Sequence, residues 1–190
     1  MNTTSHAIIN LAVLGKASKW KQSWVIITGA ILPDVMMFIF FGVQRFILGT
    51  PGNVIWGTEY FKPFWQNIFD VLNSIPLLLL ALAIAYKQKW QTFKLLCCSM
   101  LLHVALDLPV HREDAHHHFW PLSDYQLISP VSYWNPEFYG LQFSVFEILL
   151  TLALSIYCFK KVDSKVIKTG IVIINILAFA MIGLWIYVFS

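Results

Sequence analysis

The chain has 190 residues, of which 58% are hydrophobic, 16% aromatic and only 12% charged, whereas soluble domains carry about 45–50% apolar and about 25% charged residues. With a mean hydropathy of +0.66, it has more apolar surface than a water-soluble globule can hide, so an ordinary soluble domain is excluded. The net charge of +3 sits in short Lys clusters between apolar stretches, which argues against nucleic acid as a partner.

The composition predicts one integral membrane domain over residues 1–190, built as an all-α polytopic helix bundle. Met1 to Ser5 carries no Lys or Arg, and the apolar run Ala7–Leu14 is short and followed by Lys16, Lys19 and Lys21. The start of the chain therefore reads as part of the mature protein rather than as a signal peptide. The segment His6–Gly15 is too short to cross a bilayer and is expected as a short N-terminal helix against the bundle. Spanning helices need about 20 mostly apolar residues. Five stretches are predicted to span: Trp24–Val43 (interrupted by Pro33 and Asp34), Ile68–Tyr86, Thr92–Val110, Gly140–Phe159 and Lys168–Phe189. Cys97, Cys98 and Cys158 all fall in apolar runs and read as small core side chains.

Ten of the thirteen Lys and Arg form three clusters: Lys16/Lys19/Lys21, Lys87/Lys89/Lys94 and Lys160/Lys161/Lys165/Lys168. Five alternating spans place all three on one side, which the positive-inside rule makes cytoplasmic. The segments Gln44–Asn67 and His111–Tyr139 then face the exterior or periplasm. Both are rich in Trp, Tyr and Phe, as interface-resting loops are. Trp120, Tyr125, Tyr133 and Trp134 read either as interface anchors or as the lining of a lipid-sized entrance.

The unusual feature is a set of ionisable groups inside apolar stretches, where each charge costs about 2.5–3.5 kcal/mol even on lenient insertion scales. His6 precedes Lys16 by ten residues, and Asp34 follows Lys21 by thirteen. His103 and Asp107 follow Lys94 by nine and thirteen, while Glu147 precedes Lys160 by thirteen. At 1.5 Å per residue all five lie roughly 14–20 Å from the basic belt, in one layer at or just beyond the midplane. His103 and Asp107 are four apart and share a helix face, so they can offer a nitrogen and an oxygen to one metal ion. Pro109 should end or kink that helix and turn the chain back over the site.

The run from His111 to His118 adds His111, Glu113, Asp114, His116, His117 and His118. The last three read either as a solvated interfacial loop or as a source of one or two ligands. Mixed imidazole and carboxylate ligands suit a divalent metal, zinc first, with manganese or iron as alternatives, and one or two ions are expected. Such a centre favours hydrolysis, with metal-bound water as nucleophile and a spare carboxylate or His as base. Asp114 or Glu147 is that base. Glu147 has the alternative of pairing with a Lys or a loop donor, and Asp70 and Asp124 read as cap or loop residues.

Thr4-Ser5-His6, Gly29-Ala-Ile-Leu-Pro-Asp34, His103-Val-Ala-Leu-Asp107 and the run from His111 to Phe119-Trp120-Pro121 together carry a resemblance. The pattern resembles the bacterial inner-membrane metal-dependent hydrolases of the LexA-binding, inner-membrane-associated type, a family distantly similar to zinc-dependent phospholipases C. It covers most of residues 1–140. The resemblance implies that His6, Asp34, His103 and Asp107 ligate metal, with His111 and His116 as additions. It also implies a multi-pass protein of the bacterial inner (cytoplasmic) membrane, in which the side read above for the His-rich loop is the periplasm or exterior. The chain departs from the family at Phe69-Asp-Val-Leu-Asn-Ser74, where Asn73 stands in place of an expected His. The expected activity is hydrolysis of a lipid-like or amphipathic (phospho)ester, with membrane lipid as the partner. Two rivals stand beside it: a non-catalytic subunit of a larger membrane-protein complex that keeps the metal-site fold, and a proton or ion pathway built on the same groups.

Overall fold

The computed structural model describes residues 1–15 and 20–189, with side chains described at 1–15 and 22–180. The Lys16/Lys19/Lys21 cluster lies outside the described residues, apart from the backbone of Lys21. Among the described residues the fold is all-helical, with no strands. The helices are α1 (Thr3–Leu14), α2 (Trp20–Gly42), a short α3 (Gly52–Val54), α4 (Pro63–Asn73), α5 (Ile75–Lys87), α6 (Gln91–Asp107), α7 (Gly140–Lys161) and α8 (Lys165–Phe189).

Among the described residues, three helical segments are long and apolar enough to cross a membrane: Gln22–Ile47, Pro63–Lys87 and Gly140–Lys161. Five spans are not supported. The predicted span Thr92–Val110 folds as α6, whose 17 residues cover about 25 Å against a hydrocarbon core of about 30 Å. Asp107 ends it, and the turn before Pro109 carries the chain away. The predicted span Lys168–Phe189 falls on α8, where the side chains of the last nine residues lie outside the described ones. Cys97 and Cys158 are buried, Cys98 is half-buried, and all three are free thiols.

The centre of the bundle is the packing of α2 on α6, with α1 laid across both and α5 and α7 outside them. Close approach depends on Gly29, since a Cβ there would stand 2.7 Å from Ser99 Cβ and 2.8 Å from the Leu96 carbonyl oxygen. In lipid, helices associate through such small-residue contacts and through interhelical hydrogen bonds rather than through a hydrophobic drive. Ser99 donates to the Ile26 carbonyl at 2.6 Å, and Asn10 of α1 donates to the Ser99 carbonyl at 2.7 Å. One helical turn further along both helices, His103 meets the Ala30 carbonyl. A second core is aromatic: Phe40, Tyr60 and Phe69 are buried, with Trp65 packed against them.

The long segment after α6 is pinned back onto the bundle by its backbone. Tyr133 N–H donates to the Val110 carbonyl, and Ser129 N–H donates to that of His111. At the break between α4 and α5, Ile75 N–H donates to the His118 carbonyl at 2.8 Å. The Ser74 hydroxyl donates to the Trp120 carbonyl and accepts the Leu77 N–H. Ser74 is thus an N-cap for α5, and the loop completes that cap.

Candidate metal centre

Four elements deliver polar groups to one point. His6 comes from α1, Asp34 from α2, His103 and Asp107 from α6, and His111 from the segment beyond. Ligand atoms of His6, His103 and Asp107 all lie within 4.8 Å of one another. The shared depth inferred from helical rise is therefore a shared position for these groups. The His6 and His103 rings stack with centroids 3.7 Å apart.

Asp107 is the hub. Its Oδ1 lies 2.9 Å from His6 Nε2, 3.2 Å from His111 Nε2 and 2.8 Å from the Met1 amino nitrogen, and its Oδ2 lies 2.9 Å from His103 Nε2. Asp34 stands 3.6 Å from His103 Nε2 and accepts the hydroxyl of Thr3. His6 and His103 are wholly buried and Asp107 is 2% exposed, while the Asp34 side chain retains 14% of its exposure. The centre thus opens, where it opens at all, on the side of α2.

The protonation pattern at His103 is fixed by its neighbours. Its Nδ1 lies 2.6 Å from the Ala30 carbonyl, an oxygen that only accepts, so Nδ1 carries the proton. Nε2 of the neutral ring is then a lone pair, and it faces two carboxylates that are also acceptors. It makes no hydrogen bond of its own. Acceptors that converge on each other need a proton or a metal cation between them. A carbonyl holding the far ring nitrogen is also how proteins orient metal-ligating histidines.

Pro33 sits one turn away inside α2. It lacks the amide that would bond back to Gly29, so the α2 hydrogen-bond ladder is weakest beside the carbonyl that His103 uses.

His111 is placed differently. Its Nε2 faces Asp107 and its Nδ1 lies 3.1 Å from Asp114, so both ring nitrogens address carboxylates. Burial and the nearby Met1 ammonium push its pKa down, but Asp107 and Asp114 outweigh them and leave it raised to about 9. Burial pushes the Asp114 carboxyl up, and its contact with His111 more than offsets this, leaving it lowered.

His116 lies further out, with its ring centroid 5.9 Å from that of His111. Burial and the neighbouring His111 push it down to about 3. Glu147 is buried, but its two oxygens accept the backbone N–H and side-chain amide of Asn2 at 2.8 and 2.9 Å. It holds the entry to α1 rather than facing the His6/His103 pair. Glu113 accepts from Asn135 at 2.6 Å.

One group, Asp70, gains a place that sequence reasoning did not give it, and a second, His118, is singled out from a run whose choice the sequence leaves open. Asp70 is 1% exposed and accepts the His117 ring nitrogen at 2.8 Å and its backbone N–H at 3.1 Å. It is no helix cap. His118 is 2% exposed, and its Nδ1 donates to the Asn73 carbonyl at 3.1 Å. A signal for Asp70 was present: it is the only acidic residue in the second apolar stretch, and it meets the rule that singled out Asp34.

No protein-family model, curated protein or solved structure matches this chain.

Proposed function

We propose that the protein is a membrane-embedded metal-dependent hydrolase that cleaves a lipid-like or amphipathic (phospho)ester. The observation that carries this reading is the His103 lone pair, locked toward Asp107 and Asp34 by the Ala30 carbonyl. His6, His103, Asp107 and Asp34 are the ligands, a nitrogen and oxygen set that suits zinc, manganese or iron. A bound divalent ion there supplies Lewis-acid polarisation of a phosphoryl or carbonyl oxygen and a more acidic water.

The protein's own groups do the rest. Asp114 is the base, since its side chain is 18% exposed. His111 stands as an imidazolium between Asp114 and Asp107 and keeps Asp114 in the ionised form that a base needs. Asp34, the most exposed of the four ligands, faces the side from which a lipid-borne ester arrives. A bacterial inner membrane as the setting belongs to the same proposal, whereas the sequence-read orientation rests on five alternating spans and is not carried over.

A second reading is favoured by the seclusion of His6 and His103, because structural metal sites are closed whereas catalytic ones keep an open position. In that reading the centre holds the bundle together in a non-catalytic subunit of a larger membrane complex.

Elemental analysis of detergent-purified protein, with hydrolysis of a generic phosphodiester, separates the two. The hydrolase reading expects stoichiometric metal and activity, both lost in His103→Ala. Metal without hydrolysis, together with a co-purifying membrane protein, selects the structural subunit. Protein that carries no metal and takes none up overturns both.

A further inference from the structure

We infer that the segment after α6 builds a second divalent-cation site, separate from the helix-borne centre, from Asp70 of α4 with His116 and His118. His116 is 8% exposed, and its Nδ1 has no hydrogen-bond partner. That nitrogen stands 3.9 Å from Asp70 Oδ1, too far for a hydrogen bond. Two ligand atoms on one ion at about 2.0–2.2 Å each are separated by a distance of this order.

Asp70 is held for this role. His117 donates to it through both its backbone N–H and its ring, which fixes the carboxylate plane and leaves further lone pairs on both oxygens. His118 repeats the arrangement seen at His103. Its Nδ1 donates to a backbone carbonyl, that of Asn73, so the Nε2 of the neutral ring is a free lone pair. The His116 and His118 ring centroids are 5.8 Å apart, and two imidazoles on one tetrahedral ion place theirs about 5 Å apart, so a small inward movement brings both onto the same ion.

Two imidazoles and one carboxylate match the three-ligand set of open zinc sites, which leaves a fourth position for a water or a substrate oxygen. His111 links the two sites, lying 3.2 Å from Asp107 and with its ring 5.9 Å from that of His116. A substrate phosphate or carboxylate at the mouth of the helix-borne centre would then meet a second cation on the loop side.

Cobalt(II) titration of the full-length, chelator-stripped protein in detergent tests this, with the ligand-field absorption and elemental analysis counting the ions. The wild type is expected to take up two ions per chain. His118→Gln and His116→Ala should each retain one ion, and Asp70→Asn should weaken the loop-site ion by at least tenfold. His103→Ala should lose only the other ion. Elution volume and thermal melting show which variants are folded, and the conservative His118→Gln guards against misfolding of the alanine variant. A single ion lost in His103→Ala but kept in all three loop variants overturns the second site and leaves the helix-borne centre standing. A single ion lost only in the loop variants does the reverse. No bound ion overturns both.

Discussion

Phe40 and Asp107 are both buried hubs, but their neighbours answer them differently. Phe40 is wholly buried and meets Tyr60, Trp65 and Phe69 edge-on, with ring centroids 6.2, 5.0 and 5.6 Å away. Edge-to-face contacts of this kind satisfy themselves, since the positive rim of one ring meets the negative face of the next. Asp107 gathers His6, His103 and His111, and at least one of the ring nitrogens facing it, His103 Nε2, is a lone pair in the neutral ring. The aromatic region is complete with protein atoms alone. The polar region has the ligand geometry of a centre whose last component is a cation. Changes in the first should therefore act on stability, and changes in the second on metal.

The largest effect is expected at Phe40. Phe40→Ala removes the shared partner of four rings, Trp56 among them, and should cost about 3–5 kcal/mol of stability, seen as a lower melting temperature in detergent, with metal affinity unchanged per folded molecule. If metal affinity falls in step with stability, the two regions are one unit and the contrast fails.

Asp107→Ala is next. Metal affinity should drop by more than about 100-fold, which exceeds the usual loss of a supporting partner, while the elution profile stays that of the folded protein. Calorimetric titration with zinc reads this directly. An unchanged affinity would remove Asp107 from the centre.

Gly29→Ala lies between the regions in kind as well as in size. The new methyl group meets Ser99 and Leu96 below contact distance and should cost about 1–3 kcal/mol. It also moves α2 away from the His103 ring that the Ala30 carbonyl orients, so metal affinity should fall by about 10–100-fold. Loss of stability with full metal affinity would show that the Ala30 contact does not orient the ligand.

The smallest effect is expected at Glu147. Glu147→Gln keeps one acceptor for Asn2 and should change stability by about 0.5–1.5 kcal/mol, leaving any hydrolysis intact. A strong loss of hydrolysis with normal melting would return Glu147 to the role of base and displace Asp114.

What the sequence disclosed follows from what a helix holds constant. Rise per residue is fixed, so counting from Lys94 and Lys21 placed His103, Asp107 and Asp34 at one depth, and the structure joins them. The shortness of α1 was legible for the same reason. The number of spans was not, because Thr92–Val110 was measured as an apolar run, whereas the helix ends at Asp107 and the turn before Pro109 belongs to the return path. Asp70 reads as a cap or loop residue in the sequence although it lies inside α4, and the choice among His116, His117 and His118 stays open there because a loop has no period. Their meeting depends on carbonyls at Asn73, His118 and Trp120 that no side-chain pattern reveals. Asn73, read as a missing ligand, contributes through its backbone instead.

The cap on α5 has a consequence for observing the molecule at work. The amide of Ile75 bonds to the His118 carbonyl across the break between α4 and α5, so this one proton is shielded only while the loop is seated. Its exchange with deuterium is then a built-in gauge of loop displacement, readable without substrate and without a label. Amides deeper in α5 exchange only when the helix itself unwinds, so their comparison with Ile75 separates a loop that lifts from a bundle that opens.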